Sequence, residues 1–340
     1  MTKRERVETA YGFGLPDRPP FVPAVYEHKA ALVGRSPSEV CRNRALLGQA
    51  LLRELEIYDP DALTVGVDVY NVEAEALGCP VRYFEDSNDV PAVASPLLRE
   101  ARGVEALEVP DPERDGRMPL FLEAAQRVMN DKGKDIVVRG ALTGPFSLAC
   151  ALLGTEQVLI GTADDPASIA RLLEFCGRVT VAYGRAFRAR GAGVVIFDSK
   201  ASPGAASPRV FRDLVMPVYR DLVMPSLAAA GARRVPLIIG GDTTSILEDI
   251  LRTGAGQLLC DAGADLEVFK RRCREEKRSF RVSVDARLVH RGTPAEIKAE
   301  ALRLLDATRG QPGLLFGCGV VAYDTPPENV LALRSALEEY

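Results

Sequence analysis

Arg234-Val-Pro-Leu-Ile-Ile-Gly-Gly-Asp-Thr-Thr-Ser-Ile-Leu247 passes from a short apolar run through two glycines into a helical pattern, and Leu314-Leu-Phe-Gly-Cys-Gly-Val-Val-Ala-Tyr-Asp-Thr-Pro-Pro-Glu-Asn329 repeats that order. Each stretch reads as a strand, a loop and a helix start, with the polar loop residues at the C-terminal end of the strand. In a parallel α/β protein, chemistry is placed at that end.

Outward from these two stretches, the same grammar recurs. Apolar runs stand at Phe21–Glu27, Ala62–Gly66, Asp135–Arg139, Gly193–Phe197, Pro236–Ile239, Gln257–Cys260, Phe280–Val284 and Gly313–Phe316, most of them followed by a helical pattern. Helix starts are marked by a side-chain acceptor before a proline: Ser36-Pro-Ser-Glu39, Asp165-Pro, Ser207-Pro, Thr293-Pro-Ala-Glu296 and Thr325-Pro-Pro-Glu328. Repeated strand-helix units imply parallel strands with right-handed crossovers, and eight of them predict a closed (β/α)₈ TIM barrel, with a doubly wound open sheet as the alternative. One segment, about residues 73–119, breaks the rhythm. It holds Cys79-Pro-Val-Arg-Tyr-Phe84, a hairpin candidate, and the polar Glu85-Asp-Ser-Asn-Asp-Val-Pro91, so it reads as an insertion after the second strand within a single domain spanning 1–340.

Composition narrows the function classes. The 340 residues carry 43 basic and 47 acidic side chains, a net charge of −4, which leaves no electrostatic footprint for nucleic acid. The N-terminal stretch lacks the apolar core of a signal peptide, and no run approaches the roughly 18 apolar residues that a membrane span requires. A cytoplasmic protein is expected, and its seven cysteines, without close Cys-x-x-Cys spacing, fit reduced thiols. Homo-oligomerisation is left open.

At the end of the first strand stand Glu27 and His28. A histidine there serves as general acid, base or metal ligand near neutral pH, or else as a hydrogen-bonded structural residue. The second histidine, His290, precedes a helix cap and is expected at the surface. After the second strand, Val67-Asp-Val-Tyr-Asn-Val-Glu73 puts Asp68 forward for catalysis and Tyr70, Asn71 and Glu73 for substrate contact, the alternative for both acids being solvated loop carboxylates.

Phe316-Gly-Cys-Gly319 and Thr325-Pro-Pro-Glu-Asn329, with Val72-Glu-Ala-Glu-Ala-Leu-Gly-Cys79, resemble the uroporphyrinogen decarboxylase superfamily, and within it the cobalamin-dependent methyltransferase branch. The resemblance runs over almost the whole chain. It implies a methyltransferase moving a methyl group between an O-, N- or S-methyl compound, a corrinoid (cobalamin) on a partner protein, and an acceptor such as a thiol or tetrahydrofolate. Arg139-Gly-Ala-Leu-Thr-Gly-Pro-Phe-Ser-Leu-Ala149 resembles the superfamily's turn into a helix, with its amides facing the pocket and Arg139 as a substrate contact. Phe197-Asp-Ser-Lys-Ala-Ser-Pro203 resembles its aspartate turn, which implies Asp198 over the cavity or, equally, capping its own loop. Together Glu27, Asp68, Glu73, Asp198 and Asp242 imply a negative mouth suited to a cationic or hydroxyl-bearing substrate.

Two departures from the family pattern matter. Where zinc-dependent members have His-x-Cys, this chain has Ile238 and Gly240, so only the third ligand position, Cys318, is kept, and a zinc site would need Cys260 or other donors. Alternatively Cys318 is a small residue in a glycine turn. The arginines that the tetrapyrrole-decarboxylase branch carries after its first strand are replaced by Tyr26-Glu-His-Lys-Ala30, which argues against a porphyrinogen. Demethylation of a methoxy compound with Glu27 or His28 as acid is the expected reaction. A decarboxylase of a small carboxylated substrate and a non-catalytic corrinoid-binding barrel are the alternatives.

Overall fold

All eight apolar runs form parallel strands in the computed structural model of the chain, which describes residues 1–340. They are β1 (Ala24–Val25), β2 (Ala62–Val65), β3 (Val137–Thr143), β4 (Gly193–Phe197), β5 (Leu237–Ile238), β6 (Gln257–Cys260), β7 (Ser279–Val284) and β8 (Leu314–Cys318). Ladders join β2 to β3, β4 and β5 in turn, and β6 to β7 and β8. Single bridges close the circuit: Pro236 with Gln257 between β5 and β6, and Phe21 with Phe316 between β8 and β1. Between β1 and β2 the Asp61 amide donates to the Phe21 carbonyl at 2.9 Å. The chain is a TIM barrel.

Two layers of apolar side chains follow from the two faces of each strand. Tyr26, Ala141, Val195, Phe197, Ile238 and Leu259 form a cluster of their own inside the barrel, while the alternate residues pack outward into the large core under the helices. β3 runs four residues past its predicted end. Gly140 makes room there, because a Cβ at this position would sit 2.4 Å from the ring of Phe187, on the helix Pro166–Ala189.

At the N-terminal end of the barrel, the helix Lys3–Tyr11 lies across the bottom, its Val7 and Ala10 packed on Val22, Ala62 and Leu315. Buried Asp61 accepts from Arg6 at 2.6 Å, Arg18 at 2.8 Å and the Phe21 amide at 2.6 Å. Each of its oxygens is thereby satisfied, as a buried carboxylate requires.

Four of the five proline helix starts cap as read: Ser36, Asp165, Ser207 and Thr293 each accept from the amide three residues on. Thr325 does not, because the helix Pro327–Glu339 begins at the second proline and its cap position falls on Pro326, which has no acceptor side chain. Further along, Pro217 and Pro225 interrupt a helical stretch whose neighbouring turns Phe211–Val215 and Tyr219–Val223 widen to π geometry, accommodating residues that cannot donate. Between β2 and the helix Met118–Lys132, Val81–Arg82 pairs antiparallel with Ala92–Val93. No single helix is long and apolar enough to cross a membrane.

Candidate functional site

A cavity of about 330 Å³ opens at the C-terminal ends of the strands. Its floor and walls come from the barrel interior: Tyr26, Phe197, Ile238 and Leu259, with Tyr26 and Phe197 meeting edge to face at 5.1 Å. Around this apolar base stand Glu27, Asp68 and Asp261, one cation, Arg281, and the hydroxyls of Tyr70 and Ser199, which are joined at 2.8 Å.

Glu27 follows β1 directly and opens the short helix His28–Ala31. Its carboxyl is half-buried, forms no ion pair, and is pushed above the ordinary carboxylate range by burial, against a partly opposing pull from Lys29. A carboxyl whose proton affinity is raised in this way is better suited to donate a proton than an exposed one.

Asp68 lines the same cavity but is fully engaged. One oxygen takes Arg117 Nη2 at 2.9 Å, while the other takes the Asn71 side-chain amide at 2.7 Å. Asn71 also donates to the Pro91 carbonyl at 2.5 Å, tying this loop to the segment that overhangs the cavity. Asp68 and Asn71 thus shape the wall, leaving Tyr70 as the loop's free aromatic face.

Sequence reading did not single out two lining residues. Asp261, the residue after β6, accepts from the Gly241 amide at 2.8 Å. It occupies a strand end as Glu27 does, and the strand-end rule would have found it. Arg281 lies within β7, where the alternation Phe280, Val282, Val284 points outward and leaves Arg281 facing in. It is 4% exposed, donates to the Val22 carbonyl at 3.2 Å, and its Nε has no partner.

Five other expectations are corrected. His28 lies outside the cavity. Its Nδ1 faces the carbonyls of Ala322 and Tyr323 at 3.1 and 3.0 Å, so it carries the proton, and Nε2 accepts from Tyr58 Oη at 2.6 Å. Burial holds this ring neutral and both nitrogens are occupied. Asp198 also turns away, because its neighbour Phe197 faces inward. It takes the amides of Phe146 and Ser147 at 3.3 and 2.7 Å and the Tyr219 hydroxyl at 2.6 Å, capping the helix Pro145–Leu153. The amides expected in the pocket are therefore spent on Asp198. Gly144 permits this approach, since a Cβ there would lie 2.4 Å from the Asp198 side chain.

Glu73 reaches Thr143 rather than the cavity, accepting from its amide at 2.6 Å and its hydroxyl at 2.7 Å. Arg139 sits at the start of β3, at the far end of the barrel, where it donates to Tyr11 and Thr64 at 3.0 Å each. Asp242 is exposed and caps its own turn through the Thr244 amide at 2.9 Å.

Burial pushes the Glu73 carboxyl up to about 7, so the folded chain binds this proton more tightly than the unfolded chain, whose ordinary value is 4.5. The stabilisation is complete below pH 4.5 and is lost as pH rises through 7, about 3 kcal/mol across that window. Glu73→Gln keeps the hydrogen-bonding shape without the charge. The variant is expected to lose less stability than the wild type between pH 5 and pH 8 in urea unfolding, and equal slopes would contradict the assignment.

The donor set does not fit a zinc ion. Cys318 is paired in register with Val284 and Cys260 with Val282, so both thiols share the outward face of their strands and pack in the core under the helices. Burial pushes the Cys318 thiol up to about 11, away from the thiolate that ligation needs. Ile238 and Gly240 line the cavity where the resemblance would put two ligands, and nowhere do three His, Cys, Asp or Glu side chains gather as a metal-holding group. The Cys318–Cys260 ligand pair is corrected on that ground.

Comparison with known proteins agrees with this architecture. The chain is 25% identical to the methylcobamide:CoM methyltransferase MtaA of Methanosarcina barkeri, over 91% of this chain and 88% of the relative. It is 28% identical to the uroporphyrinogen decarboxylase of Syntrophotalea carbinolica, over 87% of this chain and 84% of that one. A solved methyltransferase from Methanosarcina mazei superposes with a TM-score of 0.86 at 24% identity, covering 100% of this chain and 99% of that structure. The uroporphyrinogen decarboxylase (URO-D) profile matches residues 2–340, and the chain belongs to that family.

Proposed function

We propose that the protein is a methyltransferase that demethylates a small O- or N-methyl compound in the barrel mouth and works with a corrinoid-bearing partner protein in the cytoplasm. The observation that carries this reading is the charge inventory of the cavity: about 330 Å³ with three carboxylates and a single arginine. A porphyrinogen bears many carboxylates and would find only Arg281 free to pair with them, since Asp68 already holds Arg117 and Asp261 adds a further acid. A small substrate with a basic or hydroxyl-type leaving group suits the same walls.

The corrinoid on the partner supplies the nucleophile that accepts the methyl group. The cavity opens past a rim that includes Val90, Gly319 and Val320, the last 47% exposed, and these residues would face a corrinoid presented by the partner. On this chain, Tyr26, Tyr70 and Phe197 hold the substrate's carbon frame against the apolar floor. As the methyl carbon–heteroatom bond breaks, its electron pair stays on the leaving oxygen or nitrogen, and the Glu27 carboxyl gives that atom its proton. Glu27 is then reprotonated from solvent. Methyl return to a thiol or tetrahydrofolate belongs to the same proposal, as the step that regenerates the partner.

The test is methyl transfer from a panel of methoxy compounds and methylamines with a matched corrinoid protein, followed by loss of substrate methyl signal. No transfer from any panel member would sink the reading. A second reading, decarboxylation of a small carboxylate, is favoured by the unpartnered Nε of Arg281 and predicts carbon dioxide release without corrinoid. Arg281→Met separates the two. Under decarboxylation it raises KM for the carboxylate about tenfold or more, whereas transfer from an uncharged methoxy substrate changes little.

A further inference from the structure

At the opposite end of the barrel from the mouth, a second cavity of about 390 Å³ is lined by five arginines, Arg4, Arg139, Arg188, Arg233 and Arg234, and by one acid, Glu8. The acid is taken: Glu8 pairs with Arg4 at 3.1 Å. The other four guanidinium groups have no carboxylate partner. Arg139, 5% exposed, spends its two Nη atoms on the hydroxyls of Tyr11 and Thr64, and its buried Nε has no hydrogen bond. Arg188 gives one Nη to the Ala192 carbonyl at 2.7 Å, and its Nε is likewise buried and unpartnered. Arg233 and Arg234 are exposed at the rim.

Three buried or half-buried arginines elsewhere meet acids: Arg6 meets Asp17 and Asp61, Arg117 meets Asp68 and Glu75, and Arg190 meets Glu113; Arg281, which meets none, stands alone in the mouth. In a chain with more acids than bases, 47 against 43, four unneutralised arginines around one hollow are a concentrated positive field. Glycines keep the hollow open. Gly231, at φ +89°, ends a helix, and a Cβ there would stand 3.3 Å from Arg188 Nη2; Gly193 lies against the Arg139 side chain. Between the charges, the first residues of β3 and β4 present valines.

We infer that this hollow is a binding site for a small organic di- or triphosphate, separate from the catalytic mouth. Guanidinium forks match phosphate oxygens in pairs, and several cations with no internal partner call for a ligand carrying several negative charges. The volume suits a small molecule, and the valine wall suits an organic group beside the phosphates. The inference does not rest on the methyltransferase reading.

The experiment is calorimetric titration of the full chain with inorganic tripolyphosphate and, separately, with ADP, at low and at physiological salt. Saturable binding of one ligand per chain is expected, weakening with salt as partly exposed charges are screened. Arg233→Gln/Arg234→Gln, at exposed positions whose loss leaves the melting temperature unchanged, is expected to weaken binding about tenfold or more. Arg209→Gln, an exposed arginine elsewhere, is the control and leaves affinity unchanged. Tighter binding of ADP than of tripolyphosphate supports the organic wall, and equal binding supports recognition of the phosphate chain alone. No saturable binding of either probe, or equal loss in the Arg209 control, overturns the inference.

Discussion

Glu27→Gln is expected to lower turnover about 10²- to 10⁴-fold while leaving KM close to that of the wild type. The substitution preserves shape and removes only the transferable proton. Glu27 forms no ion pair, so little stability rests on its charge, and burial already favours its neutral form. The pH profile carries a second signature. In the wild type the protonated carboxyl is the active form, so the rate falls as pH rises through a value above the ordinary 4.5 of a glutamate, and this limb disappears in Glu27→Gln. A variant with wild-type turnover, or one that keeps the same alkaline limb, would show that the proton comes from elsewhere. His28 is a poor substitute, since both of its ring nitrogens are engaged away from the cavity.

Lys29→Met is expected to be the most destabilising single change near the site, costing about 3–5 kcal/mol in urea unfolding. Lys29 is fully buried and its ammonium gathers three carbonyls at the strand ends: Val25 at 2.6 Å, Gly66 at 2.8 Å and Thr64 at 3.2 Å. It also lies 3.2 Å from Glu54, whose carboxyl burial pushes up to about 7. Removing the lysine strands both the carbonyls and the acid in a medium that solvates neither. Adding Glu54→Leu to Lys29→Met is expected to recover part of the loss, because the lone acid goes with it. A loss below about 1 kcal/mol in the single variant, or none recovered in the double, would show that water satisfies this cluster instead. Because Lys29 shares the short helix that Glu27 opens and its charge acts on the Glu27 carboxyl, loosening the cluster is also expected to blur the geometry on which the acid depends.

Legibility differs between fold and site. All eight strands were readable from short apolar runs, since in a barrel each strand is buried on both faces and its run is continuous. That same continuity hid the site. With both faces apolar, nothing in Phe197-Asp198 or Gly317-Cys318 marks which residue looks into the barrel, and a one-residue change of parity moves a side chain from the cavity to the core. Asp198 and Cys318 stand at strand ends and carry the right chemistry, yet both point outward; Arg281 and Asp261 point inward without belonging to any quoted motif. Arg139 was misplaced for a different reason: β3 extends to Thr143, so its arginine falls at the bottom of the strand rather than the top.

By itself, then, the sequence determined the order of strands and helices, most helix caps and the family, because each depends on contacts within a few residues or on a pattern carried along the whole chain. Only the tertiary structure decided which acid is free, which is a cap and which arginines have no partner. Those properties depend on register and on groups distant in the chain, such as Tyr219 against Asp198 and Tyr11 against Arg139. A carboxyl's proton affinity is set by what surrounds it in space, and no local stretch of residues specifies that.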